Sequence, residues 1–412
     1  MKKSILTIAC LLLIAKINAQ TTVIADSNDS RVITTGMPFL LIAADARAAG
    51  MGDMGVATSV DTYSQQWNSS KYAFATDAQG VGVSYTPYLS QLVNDIFLGN
   101  LTYYNKLNER SAFSASLRYF SLGEIEFVET EESIPYIEKP YELSVDAAYA
   151  LKLSEQFSMS VGMRYIRSDL RLTNYDADAE AASTFGVDIS GYYQSEEEAY
   201  DSFNGRTRLG FAIQNIGPRF KYSEAGVENF QPTTLRLGGG FDFILDDYNK
   251  VSVTGEVTKL LVPTPPVTGK EYNYVDDNGN GQYDDGEETT ETNPGTSVII
   301  DGKDPDVSFI SGMFQSFGDA PGGFSEEIKE FTYAIGAEYS YQDSFAFRAG
   351  YFNEAEEKGA RKYFALGAGF KFSSVTVDLS YLFGASKVPS PLENTLRFSL
   401  AFNLGADTYT EY

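Results

Sequence analysis

The chain has 412 residues, contains no histidine, and has a single cysteine, Cys10. The absence of histidine excludes a Ser-His-Asp triad, a Cys-His pair and any imidazole metal ligand. With 31 basic and 56 acidic residues the formal net charge is −25, so nucleic acid, which binds basic surfaces, is excluded as an expected partner.

Residues 1–19 have the pattern of a secretory signal peptide. Lys2 and Lys3 precede the apolar stretch 5–15, and Ile17-Asn18-Ala19 supplies a small-residue cleavage site. The apolar stretch is shorter than the about 20 residues of a membrane-spanning helix, so an uncleaved anchor is the lesser alternative. Cleavage would remove the only cysteine and three lysines, taking the net charge from −25 to −28.

Residues 20–79 precede the first predicted strand. We expect this segment to begin in the periplasm and to pack at, or in, a barrel formed by the strands that follow. It is rich in small residues between 39 and 57, and its Gly-Met-Gly run at 50–52 lacks the context of a phosphate-binding loop. Close backbone packing explains these glycines more simply, and Asp45 and Arg47 are predicted to pair internally.

From residue 80 to 412 the sequence predicts a transmembrane antiparallel β-barrel of about 14 strands. Along 395–404 apolar residues alternate strictly with polar ones, which places the two sets on opposite faces of an extended strand. Aromatic residues, 14% of the chain, suit the girdles at the two membrane interfaces. The predicted strands are 80–88, 95–105, 111–121, 141–152, 157–168, 183–194, 206–215, 233–245, 250–261, 330–341, 345–353, 362–373, 374–384 and 393–404.

Connection lengths and charges support this prediction. Short links alternate with long ones, as periplasmic turns alternate with extracellular loops in outer-membrane barrels, and the longest loop is 262–329. A soluble β-sandwich is the alternative, but its interior would not accept so many charged residues. We expect these charges to meet across the lumen: Arg118, Arg164, Arg206, Arg208, Arg236, Arg348 and Arg397 with Asp146, Asp188, Asp242, Glu256, Glu338 and Asp378.

The sharpest local motif is residues 276–287, which match the calcium-loop pattern D-x-[DN]-x-[DN]-G-x₅-E at every specified position. Calcium needs several oxygen ligands from one wrapped turn, and Gly281 allows that turn. The flanks do not resemble the two helices of an EF-hand, and a solvated acidic loop is the alternative. The predicted Ca²⁺ ligands are Asp276, Asn278, Asn280, Gln282 (through its backbone carbonyl), Asp284 and Glu287.

Several residues of the N-terminal segment carry a resemblance to known proteins. The run Asp-Ala-Arg-Ala-Ala-Gly-Met-Gly at 45–52, Val-Ala-Thr at 56–58 and Trp67-Asn68 resemble the start of the FadL-like outer-membrane transport family. Together with Met-Pro-Phe-Leu-Leu at 37–41, the strand number and the long acidic loop, the chain is similar to the PorV family of type IX secretion components. Ser69-Ser70 depart from the Pro-Ala of those relatives.

The resemblance implies a location in the outer membrane, among lipid and lipopolysaccharide, and a role in protein export. It implies binding of the C-terminal signal domains of exported cargo at the large translocon barrel, and transfer of cargo to the surface-attachment proteins. Loops 262–329 and 122–140 are the predicted contacts.

Two other functions are left open by the sequence. One is a FadL-like channel for hydrophobic small molecules. The other is an outer-membrane enzyme acting on lipopolysaccharide, for which no catalytic motif is visible. We therefore expect no enzymatic activity and no cofactor other than Ca²⁺.

Overall fold

A computed structural model describes residues 20–26, 30–90, 93, 95–128, 135–171, 180–386 and 393–406. The predicted signal peptide, residues 1–19, lies outside the described residues. Within them, no helix is long and apolar enough to cross a membrane.

Fourteen strands of the described residues form one closed sheet, and each pairs antiparallel with its neighbours. The sheet closes where the last strand pairs with the first, for example Val83 with Leu400. The predicted barrel and its strand number are confirmed. The strands, in chain order, are β1 (Asp77–Pro87), β2 (Ile96–Asn108), β3 (Ser111–Leu122), β4 (Tyr141–Lys152), β5 (Phe157–Asp169), β6 (Ala182–Gln194), β7 (Asn204–Ile216), β8 (Thr234–Ile244), β9 (Asn249–Leu260), β10 (Phe331–Tyr341), β11 (Phe345–Asn353), β12 (Lys362–Phe372), β13 (Val375–Gly384) and β14 (Leu396–Ala406).

Strand β14 shows how the alternation is used. Leu396 and Phe398 point outward and are 57% and 42% exposed, whereas Arg397 and Ser399 point into the lumen and are buried. An arginine on the outward face at the membrane midplane would cost about 2–4 kcal/mol, which explains why the charges lie inside. The barrel therefore presents an apolar wall to lipid and a polar wall to its lumen.

The two ends of the barrel differ in their links. The short links lie at one end, here termed the short-turn end, and the long links lie at the other, the long-loop end. In outer-membrane barrels these ends are periplasmic and extracellular respectively. The short links are 109–110, 153–156, 195–203, 245–248, 342–344 and 373–374. A minor strand, Glu198–Ala199, pairs with β7 within the third of them.

The longest loop is itself folded. A central strand, Val267–Tyr274, pairs with Thr289–Glu291 and with Val298–Asp301. Two short helices, α3 (Phe309–Gln315) and α4 (Phe324–Glu327), follow, and a 3-10 turn at Ile328–Glu330 leads into β10. Two other long links also carry structure. In the 122–140 loop, Ile125–Phe127 pairs with Tyr136–Glu138, and a 3-10 turn, Glu356–Lys358, lies between β11 and β12.

Residues 37–75, here termed the plug, occupy the lumen. They contain two short helices, α1 (Ala46–Gly50) and α2 (Ser64–Trp67), and two 3-10 turns, Pro38–Leu41 and Ser69–Phe74. The side chains of these elements are almost entirely buried against the inner wall.

The plug runs from the long-loop end to the short-turn end, where β1 begins. Phe39 packs against Leu98 and Phe120 near the long-loop end, whereas Tyr72 packs against Tyr104 near the short-turn end.

The N-terminal strand, Gln20–Ala25, lies at the opposite end from the one expected. It pairs antiparallel with the loop strand Val267–Tyr274, from Gln20 opposite Tyr274 to Ala25 opposite Gly269. We expected this segment to begin on the periplasmic side. The structure instead places residue 20 at the long-loop end, because the plug crosses the lumen before β1 starts.

Candidate functional site

The plug is held by capped turns. Asp45 caps α1 by accepting a hydrogen bond from the Ala48 N–H at 2.8 Å, and it also accepts one from Trp67 Nε1 at 2.9 Å. Asn68 caps the following 3-10 turn by accepting from the Ser70 N–H. An N-terminal cap satisfies backbone donors that the helix leaves free. The single tryptophan of the chain therefore links the two halves of the plug.

Small residues let the plug approach the barrel wall closely. A Cβ atom built on Gly350 of β11 would lie 2.0 Å from the Met51 carbonyl carbon. One built on Gly336 of β10 would lie 2.6 Å from the Met51 carbonyl oxygen. Gly50 and Gly367 face each other in the same way, with 2.9 Å from a Gly50 Cβ to the Gly367 Cα. The plug and three neighbouring strands thus meet backbone to backbone, as the Gly-Met-Gly run predicted.

A chain of ion pairs joins the plug to the inner wall. The Arg47 guanidinium donates to both carboxylate oxygens of Glu338, each at 3.0 Å, and to Asp61 at 2.7 Å. Arg348 donates to Glu338 and to Asp378, both at 2.6 Å. Such paired, buried charges are far less costly than isolated ones. Arg47 therefore pairs internally, as expected from the sequence.

Further contacts fasten the rest of the plug. The N–H groups of Gly55 and Val56 both donate to Glu256 Oε2 at 2.9 Å. Asp53 accepts from Arg397 at 2.8 Å and from the Tyr363 hydroxyl at 2.5 Å.

The expected cross-lumen pairs form in four places: Arg164 with Asp146 and Asp188, Arg208 with Asp242, Arg236 with Glu256, and Arg348 with Glu338 and Asp378. The other three arginines have different partners. Arg397 binds Asp53, Arg118 donates to the Leu40 carbonyl, and Arg206 lies 3.7 Å from Glu197 near the short turns. The expectation that all seven would meet wall carboxylates overlooked the plug, which binds Arg397 and Arg118, and the short link 195–203, which supplies Glu197 to Arg206.

A cavity of about 650 Å³ opens at the short-turn end. Its lining is mainly polar, and its acidic residues, Glu197, Asp242 and Asp343 among them, outnumber the basic Arg206 and Lys250. The arrangement suits water and cations rather than apolar molecules.

The predicted calcium loop forms the tip of a β-hairpin. Its flanks are the strands Val267–Tyr274 and Thr289–Glu291, in agreement with the prediction that they are not EF-hand helices. Asp276 accepts hydrogen bonds from the N–H groups of Gly281, Gly279 and Asn280 at 2.8, 2.6 and 3.1 Å. These bonds hold the pKa of Asp276 below its usual value, the Gly281 bond most of all.

The other predicted ligands converge on the same turn. The Asn278 and Asn280 side-chain amides donate to Asp284 Oδ2 at 2.7 and 2.6 Å, and the Asn280 oxygen accepts from the Gln282 N–H at 2.7 Å. Glu287 accepts from the Asp284 N–H at 3.0 Å. Gly281 has φ of 78°, the left-handed conformation that suits glycine at this position. The structure therefore brings all six residues together around one acidic turn.

Sequence reasoning missed a second acidic group at the base of the long loop. Asp319, Glu327 and Glu330 are buried and their oxygens lie within 4.8 Å of one another. Lys259 Nζ already lies 2.5 Å from Glu330 and 3.5 Å from Glu327, so an ammonium pairs with two of the three carboxyl groups. A signal was available: Lys259 stands on the apolar side of β9, where alternation calls for an apolar residue.

The closed sheet, the apolar outer wall and the packed lumen define the protein as a plugged outer-membrane β-barrel. The sequence model of the family described as type IX secretion system protein PorV matches residues 25–267, more than half of the chain. The chain belongs to this family, and it is an outer-membrane component of the type IX secretion system.

Three solved structures have a similar barrel. They are the toluene transporter TbuX of Ralstonia pickettii (12% identity, 89% of this chain and 100% of that chain, TM-score 0.46), a FadL homologue of Pseudomonas aeruginosa (11%, 91% and 100%, 0.45), and the toluene transporter TodX of Pseudomonas putida (11%, 90% and 98%, 0.44). At these identities the likeness concerns the fold and carries no inference about transported molecules. No curated protein sequence matches the chain.

Proposed function

We propose that the protein binds exported cargo through its long-loop end and passes it to the surface-attachment machinery, without a chemical step. Membership of the PorV family supports a role in secretion, and C-terminal signal domains are the proposed recognition element. The proposed partners are the large translocon barrel, the cargo domains and the surface-attachment proteins.

One observation carries the proposal: the lumen is filled while the long-loop end bears a folded surface. The plug contacts the inner wall of the barrel through ion pairs, for example Arg47 with Glu338, and through close backbone contacts. Above it stands a sheet made of three loop strands and the N-terminal strand Gln20–Ala25. Loops positioned by a rigid scaffold commonly carry the binding residues of a protein. Recognition at this surface needs no open pore, which favours cargo binding over a channel for hydrophobic small molecules.

Calcium binding at 276–287 is part of the same proposal. The ion would bind Asp276, Asn278, Asn280, Asp284 and Glu287 through side-chain oxygens and Gln282 through its carbonyl. It would stabilise the hairpin whose first strand pairs with Gln20–Ala25. Calcium would thus hold the loop sheet in one conformation for cargo recognition.

The test removes the loop sheet and keeps the barrel. A Cβ built on Gly302 lies 3.2 Å from the Pro266 Cα, so a short Gly-Ser linker can replace residues 267–301 without strain at the junction. We expect the variant to assemble in the outer membrane, to capture little tagged cargo in pull-downs, and to leave cargo in the periplasm. Shortening the 385–395 link between β13 and β14, which is not a predicted contact, is the matched control for loop removal in general.

Normal capture by the 267–301 variant would contradict the loop proposal. Loss of uptake of apolar nutrients, with secretion intact, would favour the channel instead.

A further inference from the structure

The segment 309–330, here termed the shelf, lies on the outside of the barrel wall. On β9, Glu256 points into the lumen and accepts hydrogen bonds from the plug. Side chains alternate along a strand, so Lys259, three residues on, points outward. Lys259 also stands opposite Phe331 in the register of β9 and β10. Any segment that covers Lys259 must therefore lie against the outer face.

The shelf covers Lys259 completely. Its side chain is 0% exposed although it stands on the outward face. Glu330 and Glu327 approach its ammonium at 2.5 and 3.5 Å, and the rings of Phe317 and Phe331 lie 5.7 and 5.2 Å from it. The shelf is thus fixed beside the long-loop ends of β9 and β10, and Arg31, from the segment that leads to the plug, also pairs with its Glu326.

The polar groups of the shelf are turned toward the barrel. Lys358, from the link between β11 and β12, lies 2.8 Å from Glu326 and 3.0 Å from Glu330. Glu327 accepts hydrogen bonds from the N–H groups of Asp319 and Ala320 at 2.8 and 2.9 Å. These carboxylates are buried, so their charges do not face the surroundings of the shelf.

The apolar groups of the shelf are turned away from the barrel. Phe314 is 76% exposed, Phe324 79% and Ile328 45%. A loop in water normally has the opposite arrangement, with apolar side chains inside and charges outside. Several large apolar groups exposed along one short segment are typical of an interaction surface.

This apolar surface continues the lipid-facing wall. Tyr333 and Ile335, the next outward residues of β10, are 42% and 57% exposed. The outward face of β10 from Tyr333 to Tyr341 covers eight residue steps, about 21 Å of height at a tilt of about 40°. That is close to the about 25 Å of the apolar band in such barrels. The shelf, directly before Phe331, therefore lies at the edge of this band.

We propose that the shelf is an interfacial element that inserts Phe314, Phe324 and Ile328 into the outer leaflet of the membrane beside β9 and β10. Aromatic side chains are favoured at this depth, where an apolar ring meets the headgroup boundary. The inner side of the shelf is held by the Lys259 and Lys358 ion pairs. The shelf thereby sets the height of the folded loop above the membrane.

The test adds one tryptophan to the single one of the chain, Trp67, which is 2% exposed in the plug and supplies a background signal to be subtracted. Phe324→Trp and Phe314→Trp each place a fluorophore on the shelf. Both positions are highly exposed, so neither change should prevent folding. Ile335→Trp is the lipid-facing control, and Val227→Trp, 81% exposed in the 217–233 link, is the water-facing control. The purified barrels are reconstituted alone into bilayers of brominated phosphatidylcholine.

We expect both shelf variants to be quenched by the brominated lipid to at least half the extent of Ile335→Trp, and more strongly by bromine near the headgroups than deep in the chains. Acrylamide should quench them several-fold less than Val227→Trp. Weaker lipid quenching together with acrylamide quenching like that of Val227→Trp would overturn the proposal. That result would show that the shelf faces water when no other protein is present, and it would assign the apolar surface to a protein partner.

Discussion

Arg47 of α1 and Glu338 of β10 are 291 residues apart in sequence, yet their side chains form a two-fold hydrogen-bonded ion pair with both distances at 3.0 Å. The pair joins the plug to the barrel wall. A bidentate ion pair of this kind is stronger than a single hydrogen bond because two parallel bonds fix its geometry. Replacing Arg47 therefore tests how firmly the plug is held.

We expect Arg47→Ala to loosen the plug. Its loss leaves Asp61 without its paired arginine and Glu338 with Arg348 alone, and removal of one member of a buried pair costs about 3–5 kcal/mol. Planar-bilayer conductance should rise above that of the unaltered protein, while strand content stays constant. Lys329→Ala, which breaks the exposed pair with Glu357, is the control and should change neither quantity. Equal conductance of Arg47→Ala and unaltered protein would show that other contacts suffice.

We expect Gly350→Ala to unseat the plug by a different route. The new methyl group would lie 2.0 Å from the Met51 carbonyl carbon, so the plug backbone must move. Protease cleavage between residues 45 and 60 in detergent should become several-fold faster. Gly255→Ala is the matched control, because its Cβ would have 3.8 Å to the Ala334 oxygen. Unchanged cleavage of Gly350→Ala would contradict the close approach.

Calcium should bind the purified protein, and chelation should increase proteolysis at the hairpin tip. Glu287→Gln removes the carboxylate placed to bind with both oxygens, and should reduce the affinity by tenfold or more in calorimetry. Glu288→Gln is the control, since this neighbour lies outside the motif. Titrations without heat for both the unaltered protein and Glu287→Gln would remove the calcium proposal.

The base of the long loop should weaken as pH rises. Burial raises the pKa of Asp319, and the nearby Glu330 and Glu327 raise it further, although Lys259 faces the same group. Because the folded pKa is the higher one, the stabilising proton is fully bound below the usual pKa of 3.8 and is lost as pH rises through the raised value.

Asp319→Asn should abolish this dependence, because an amide has the shape of the protonated carboxyl group but does not titrate. Hydrogen exchange of residues 316–330 from pH 4 to 8 measures the effect. A pH profile unchanged by Asp319→Asn would assign the dependence to another group.

The N-terminal strand should be reachable from outside the cell. In a Cys10→Ser background, Thr21→Cys should react with a membrane-impermeant maleimide on intact cells, because residue 21 is exposed in the loop sheet. Asp343→Cys, in a short turn, should react only after the outer membrane is permeabilised. Labelling of Thr21→Cys restricted to permeabilised cells would contradict the direction of the plug.

The sequence alone determined the barrel, because a strand's inward and outward faces are encoded by neighbours one residue apart. Leu396 and Arg397 already indicate which side meets lipid, and the alternation of short and long links orders the ends. The calcium pattern at 276–287 is equally local, and its six residues do converge on one turn.

The partners of the lumen charges and the direction of the plug were decided by tertiary structure. Several carboxylates in the lumen have the charge needed to pair with Arg47. Its pairing with Glu338 depends on the position of α1 along the lumen. Gln20–Ala25 has no local feature that points to Val267–Tyr274. The backbone hydrogen bonds that join two strands use groups common to nearly all residues, at any distance along the sequence. Lys259 is a similar case. The alternation of β9 predicts that its side chain points outward, but its burial depends on the shelf, which begins some fifty residues later.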